Sequence, residues 1–384
     1  MIRQMAGPIN IAVTVMSIAI SCAVTPRIYA DDASSRPTDS DSLYFPTADT
    51  WETVDPASVG WKKTELNAAV DFAMTRRSSG VVILHRGRIL SERYQTPSTR
   101  SLRYRGMLHG KDRDGQVIED VASVQKSVAS ILVGIAQEKG LVRIDDRVDK
   151  YLGAGWSHAS PAQEKQITIK HLISMSTGLS DGLRYVDPPG TKWRYNTNAY
   201  CLSVTAIAAV SKMTPNELTK AWLTDRVGMK DSRWIERRLA KASIPETNRL
   251  GFATTARDLA RFGLLVLGRG QWGNEVVLSD QKYLSAALSP SQKMNPAYGY
   301  LWWLNGQTAT LPGQRRLRGP LNAEAPSDLV AALGALGRKC YVVPSLGVVV
   351  TRLGDNPEVV GKTKFDVEFW SLLMKAAPQS VNKG

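Results

Sequence analysis

Hydrophobic and polar positions along the chain follow two periods in turn. Leu66, Ala69, Val70, Phe72 and Ala73 recur on one helix face and predict an amphipathic helix over 61–77. Two apolar runs, 80–85 and 89–94, flank Arg86-Gly87-Arg88 in the pattern of a β-hairpin. The stretch from Ser101 to Glu119 is polar and glycine-containing and reads as a loop. Val128, Ala129, Ile131, Leu132, Val133, Ile135 and Ala136 then form a strongly apolar segment ending at Gly140, which predicts a buried helix with a glycine cap. Helical patterns dominate from about Asp120 to Leu267, with turns at Gly140, Gly178, Pro188-Pro189-Gly190 and Gly228. Strand patterns return over 298–304, 338–343 and 348–353, with Pro344 to Gly347 as a turn and 365–375 as a closing helix. Strands at both ends around a helical middle predict an α/β domain of the α+β kind. One antiparallel sheet is built from both termini and flanked by helices, with a helical lobe inserted. Pockets form at such seams, so functional groups are expected between sheet and lobe.

The first thirty residues follow neither period. Arg3 precedes an uncharged, mostly apolar run from Ile9 to Val24, then Pro26, then Ile28-Tyr29-Ala30 before Asp31-Asp32. This is the pattern of a signal peptide cleaved near Ala30, implying a periplasmic or secreted protein. The run is short for a membrane span. Ala19-Ile20-Ser21-Cys22 offers a lipoprotein alternative through Cys22, without the usual leucine at its start. Residues 31–55 read as a flexible spacer, rich in Ser and Asp at its beginning, and 56–378 as the folded domain.

Composition excludes several classes. With 384 residues, 43% hydrophobic and 22% charged, the chain is a globular domain of enzyme size. Its net charge of +14 falls to +12 once Arg3 and Arg27 leave with the signal segment. The basic residues are scattered, with small clusters at Arg315, Arg316, Arg318 and at Arg237, Arg238, Lys241. No nucleic-acid-binding motif accompanies them, so nucleic acid is not an expected partner. A solvated basic surface is the plain reading, with attraction to anionic envelope polymers as its functional counterpart. Cys201 and Cys340 lie in apolar runs and read as buried free thiols. His85, His109, His158 and His171 lack metal-ligand spacing, so no metal or other cofactor is expected.

Candidate chemistry concentrates in Ser123-Val124-Gln125-Lys126. Residues three apart on a helix have Cβ atoms roughly 5–6 Å apart, so Lys126 can reach back to the Ser123 hydroxyl. The apolar segment that follows places the lysine where burial lowers its pKa, as a lysine base requires. The same residues also fit an ordinary helix start with Ser123 as its cap.

Further landmarks follow in order. They are the 80–94 hairpin, Ile167 to Gly178, Pro189-Gly190-Thr-Lys-Trp-Arg-Tyr195-Asn-Thr-Asn-Ala-Tyr200, Gly228 to Ser232, Thr254 to Ala260, Tyr298 to Trp303 and Gly334 to Pro344. Together with Ser-x-x-Lys they resemble the serine β-lactamase, penicillin-binding protein and related esterase superfamily, and within it the 6-aminohexanoate-dimer hydrolase and esterase branch. The resemblance covers roughly 56–375. It implies a β-lactamase/transpeptidase-like fold, Ser123 as nucleophile, and Tyr195 beside Lys126 as the second proton-transfer group. Either could accept the Ser123 proton. It also implies an oxyanion hole from the Ser123 and Ala335 amides, with Thr197 and Gly334 contacting substrate.

Two departures shape the functional expectation. Tyr-x-Asn reads Tyr195-Asn196-Thr197, so the usual amide is replaced by a hydroxyl or supplied by Asn196 or Asn198. Lys-Thr-Gly is replaced by Ala332-Leu333-Gly334, in a register that the repeated Ala335-Leu336-Gly337 leaves open by three residues. The missing lysine weakens β-lactam carboxylate recognition and leaves acyl transfer intact, with Arg338 or Arg315, Arg316 and Arg318 as substitute cations. The expected activity is hydrolysis of a small ester or amide through an acyl-enzyme. β-Lactamase or D,D-peptidase activity is one alternative, and a non-catalytic ligand sensor is another.

Overall fold

The computed structural model describes residues 42–96, 101–237 and 249–378. The expected signal segment, Cys22, Arg238 and Lys241 lie outside them. Residues 44–55, expected within the flexible spacer, instead run along the hairpin. The Tyr44 amide donates to the Arg86 carbonyl at 2.9 Å and Trp51 Nε1 to the Gly87 carbonyl at 2.8 Å. Gly87 has φ +88, and a Cβ there would lie 1.8 Å from the Tyr44 carbonyl oxygen, so only glycine fits this crossing.

The main sheet has six strands in the order Arg88–Tyr94, Ser78–His85, Val348–Gly354, Arg338–Val343, Val330–Gly334 and Trp303–Leu304, each pair antiparallel. Both ends of the domain therefore contribute, as the strand-period runs predict. The Val348–Gly354 strand is buried at every position. Its Thr351 hydroxyl donates to the Ala256 carbonyl while the next residue, Arg352, lies against the Phe365 ring. Successive strand side chains face opposite ways, so helices Ala256–Leu267 and Phe365–Ala376 cover opposite faces of the sheet. Helix Lys63–Thr75 buries Leu66, Ala69, Val70 and Ala73 and packs against Phe365–Ala376.

Expectation and structure part over the polar segments. The stretch 101–119, read as a loop, contains helix Leu102–Arg105 and strands Leu108–Lys111 and Val117–Asp120. These pair with Leu250–Thr254 and Arg233–Glu236 from the middle read as mostly helical to make a second, four-stranded sheet. Only Trp303–Leu304 of the expected 298–304 run is a strand, with Tyr298 bridging to Trp303. Cys201 and Cys340 are both buried and free.

Helix Gln125–Glu138 is buried without interruption from Gln125 to Ala136. It packs beside helix Thr197–Ser211 and strand Val330–Gly334, so its N-terminus opens where the helical lobe meets the main sheet.

Candidate active site

Strand Val117–Asp120 delivers the chain to Ser123 through a strained corner. The Asp120 carboxylate accepts the Ala122 amide at 2.8 Å, and Ala122 takes φ +51, a left-handed conformation that a residue with a Cβ adopts at a cost of about 1–2 kcal/mol. Ser123 lies in the single 3-10 turn Ala122–Val124, one step before helix Gln125–Glu138 rather than inside its first turn. The predicted approach is present, with Lys126 Nζ 3.0 Å from Ser123 Oγ.

Lys126 is 2% exposed. Its Nζ lies 4.8 Å from the Tyr195 ring centre and 4.4 Å from that of Tyr200, between two aromatic faces. Burial pulls its pKa down to about 7; the Arg237 charge adds to this and the Cys201 thiol opposes it. Burial pushes the Tyr195 phenol up to about 12, against the opposing influence of the Ser123 hydroxyl.

Tyr195 also faces an aromatic wall. Its ring stacks on Trp303 at 5.9 Å, and Trp193 and Tyr298 each lie 6.2 Å away. Thr197 opens helix Thr197–Ser211 and is half-buried. The amide nitrogens that are candidates to replace the missing asparagine are both engaged. Asn196 caps that helix by accepting the Ala199 amide and donates to the Leu179 and Ser180 carbonyls. Asn198 donates to the Asp181 carbonyl.

Gly334 ends the edge-side strand Val330–Gly334. A Cβ on it would lie 2.3 Å from the Val121 carbonyl oxygen and 3.2 Å from Val124 Cγ2. This close approach fits the backbone against the Ser123 turn and favours Gly334, not Gly337, as the motif glycine. Ala335 begins the turn that follows.

The cations offered as substitutes for the missing lysine are placed otherwise. Arg338 is fully buried and donates to Glu119 at 2.9 Å, so it does not face a substrate. Arg315 and Arg316 form an exposed strand of a small hairpin with Thr310–Leu311. That hairpin is tied to the aromatic wall, since Gln314 Nε2 donates to the Trp193 carbonyl at 2.8 Å.

A family model described as Beta-lactamase matches residues 66–356. The chain belongs to the Beta-lactamase family. It has the β-lactamase/transpeptidase-like fold. An uncharacterized protein of Alkalihalophilus pseudofirmus is 24% identical over 305 residues, 71% of this chain and 82% of that one. Penicillin-binding protein 4* of Bacillus subtilis is 24% identical over 152 residues, 33% of this chain and 32% of that protein. Solved structures of like fold include a 6-aminohexanoate-dimer hydrolase homologue from Bacillus anthracis, with TM-score 0.58, 15% identity and 87% of each chain covered. A class C β-lactamase has TM-score 0.58 and 15% identity, covering 84% of this chain and 97% of its own. At such identities the structural likeness is one of fold.

Within this family frame, one network escaped the sequence reading. Arg237 donates to Asp120 through Nε at 2.6 Å and to Gln125 Oε1 through Nη2 at 2.8 Å, and Gln125 Nε2 donates to the Tyr200 hydroxyl. Asp120, Arg237, Gln125 and Tyr200 thus form a hydrogen-bonded chain beneath Lys126. Gln125 lies inside the Ser-x-x-Lys motif, which was the available signal. Its partner Arg237 stood in a basic cluster and looked like surface.

Proposed function

We propose that this chain is an exported serine hydrolase that cleaves a small ester or linear amide through a Ser123 acyl-enzyme. The observation that carries this reading is the 3.0 Å approach of Lys126 Nζ to Ser123 Oγ in a buried aromatic cradle. Neutral Lys126 accepts the hydroxyl proton as Ser123 Oγ attacks the substrate carbonyl. The Ser123 and Ala335 amides receive the developing oxyanion. The Lys126 ammonium then returns the proton to the leaving alcohol or amine, with the Tyr195 phenol as relay. Water, deprotonated by the same pair, attacks the acyl-serine and releases the acid and free Ser123. Tyr195, with a pKa pushed to about 12, suits a proton donor and relay better than a resting base, which favours Lys126 as the first acceptor.

Thr197 is assigned to the substrate carbonyl side and Gly334 to backbone contact with substrate. The ring wall of Trp193, Tyr298 and Trp303 beside Tyr195 and the half-buried Leu333 support a short apolar acyl or amide substrate. Export rests on the 1–30 sequence pattern, and N-terminal sequencing of protein from an exporting host tests it, with Asp31 as the expected first residue. A lipid-modified Cys22 at that end would move the enzyme to a membrane surface.

Labelling with a fluorophosphonate and a fluorescent penicillin, side by side, tests the chemistry. The expected result is fluorophosphonate labelling that Ser123→Ala abolishes. Preferential penicillin labelling would favour a β-lactamase or D,D-peptidase. No covalent label from either would favour a ligand sensor.

A further inference from the structure

We propose that Arg338 and Arg352 are positioning residues that hold the Ala335-Leu336-Gly337 turn, and with it the Ala335 amide, in place against Ser123. The inference rests on the reading of that amide as an oxyanion donor. Gly334 pairs with Arg338 across the hairpin, which leaves a loop of only these three residues. Leu336 has φ +59 and Gly337 φ +71. The first of these is a left-handed leucine, a conformation that persists only where surroundings enforce it.

Those surroundings are two buried guanidinium groups. Arg338 is 0% exposed and Arg352 is 1% exposed. Arg338 Nη1 donates to the Ala335 carbonyl at 3.2 Å, and Arg352 Nη1 donates to the Leu336 and Gly337 carbonyls at 2.9 and 3.2 Å. All three carbonyls of the turn are therefore drawn toward the protein interior.

Each guanidinium is itself fixed. Arg338 Nη2 donates to Glu119 Oε2 at 2.9 Å, and that carboxylate also accepts from the Tyr104 hydroxyl at 2.8 Å, the Gly354 amide at 3.2 Å and the Ser79 hydroxyl. Arg352 donates through Nε to Ser78 Oγ at 2.9 Å and through Nη2 to the Arg76 carbonyl at 2.9 Å and the Asp355 carbonyl at 2.6 Å. On the other side of the strand end, Gly334 is wedged against the Val121 carbonyl. The turn is thus gripped from the interior and braced against the corner that carries Ser123.

Maximal stability is not what this arrangement serves. A buried guanidinium is costly unless every donor is matched, and Arg338 Nε has no partner among the described residues. A rigid planar fork does, however, fix carbonyl directions in a way an apolar side chain cannot. An oxyanion hole depends on donors held in place before the reaction begins.

The test uses the whole chain with p-nitrophenyl butyrate for kinetics and p-nitrophenyl trimethylacetate to form a slowly deacylating acyl-enzyme. Arg352→Lys and the paired Arg338→Gln/Glu119→Gln variant are compared with the unaltered protein. The second keeps the buried site neutral if either single change misfolds. The expected result is a kcat loss of about 10- to 100-fold, smaller than removal of a donor outright, with KM within about threefold. The infrared carbonyl band of the acyl-enzyme should move to higher wavenumber as its hydrogen bonds weaken. Folded variants with unchanged kcat and an unchanged band would overturn the proposal. So would a kcat loss that only follows the folded fraction while the band stays fixed. If mass spectrometry finds no adduct on Ser123 of the unaltered protein, the acyl-enzyme reading itself fails, and this inference with it.

Discussion

Lys126 Nζ stands 3.0 Å from Ser123 Oγ and 4.4 Å from the centre of the Tyr200 ring, so the amine that meets this hydroxyl is held by aromatic faces. Among the described residues no carboxylate is paired with it. Cation–π contact recovers part of the cost of burying an ammonium, and desolvation outweighs it, which brings the pKa to about 7. With its pKa near 7, about half of this lysine is free amine at neutral pH.

The pH profile follows with a definite sign. Lys126 must be unprotonated to accept the Ser123 proton, so kcat/KM on p-nitrophenyl butyrate should rise through about pH 7 and level off above it. A profile that begins to rise only near pH 10 would mean that Lys126 keeps an ordinary pKa. Stability moves in the same direction. Unfolded, the lysine titrates near 10.4, so between about pH 7 and that value the unfolded chain binds the extra proton and stability increases with pH. The penalty is complete below pH 7. Lys126→Met should therefore be inactive yet melt higher than the unaltered protein at pH 6, with the gap closing toward pH 10 in a thermal scan.

Replacing Ser123 separates chemistry from folding. Ser123→Ala should cost several orders of magnitude in ester turnover and leave the Tm within a few degrees. Lys126→Ala and Tyr195→Phe should each lose most activity, and their combination little more, because groups in one proton-transfer unit are strongly non-additive. Residual Ser123→Ala activity above about a tenth of the original would exclude the assignment. A near-silent Tyr195→Phe would move attention to Tyr200, whose ring also faces Lys126, or to Tyr185.

Much of this architecture was legible, and its gaps have a common cause. The hairpin, the buried helix after Lys126 and the Val348–Gly354 strand announce themselves because local period and burial agree. Val117-Ile118-Glu119-Asp120 does not. It is a strand whose two acids are buried at 0% and 2% exposure. They are matched there by Arg338 and Arg237, which lie far along the chain. Polarity read locally signals solvent, and only the tertiary pairing reverses it. The same effect turned Arg338 from a candidate substrate cation into an interior anchor. It also hid the role of Asn196, whose amide is spent on a helix cap and two carbonyls.

Gly334 offers a steric test of the strand beside Ser123. Its φ of −128 is open to any residue, so only space forbids a side chain. A Cβ would meet the Val121 carbonyl at 2.3 Å, where backbone has to move. Gly334→Ala should lower kcat by at least about 10-fold, displacing the Ala335 amide by a fraction of an ångström. Gly319→Ala, at a glycine without a left-handed φ and with no heavy atom within 4 Å of an added Cβ, is the control for general alanine effects. Full activity in Gly334→Ala would place the oxyanion donors elsewhere.

Substrate choice turns on a missing charge. The strand beside Ser123 reads Ala332-Leu333-Gly334, with Ala332 buried and no cationic side chain among the three, and the nearest arginine in sequence, Arg338, is committed to Glu119 in the interior. A β-lactam carboxylate entering here therefore finds no paired cation from that strand. A charge-assisted hydrogen bond is worth about 1.5–3 kcal/mol, or roughly one to two decades in kcat/KM. Short-chain p-nitrophenyl esters or linear amides should accordingly be turned over far faster than nitrocefin or benzylpenicillin. Arg315 and Arg316 lie exposed on a hairpin tied to Trp193, which makes them candidate cations among the described residues. Replacing both by alanine should leave the ester rate unchanged. If it also removes a nitrocefin rate that equals or exceeds the ester rate in the unaltered protein, the carboxylate site has been rebuilt from this hairpin, and the preference for esters and linear amides is reversed.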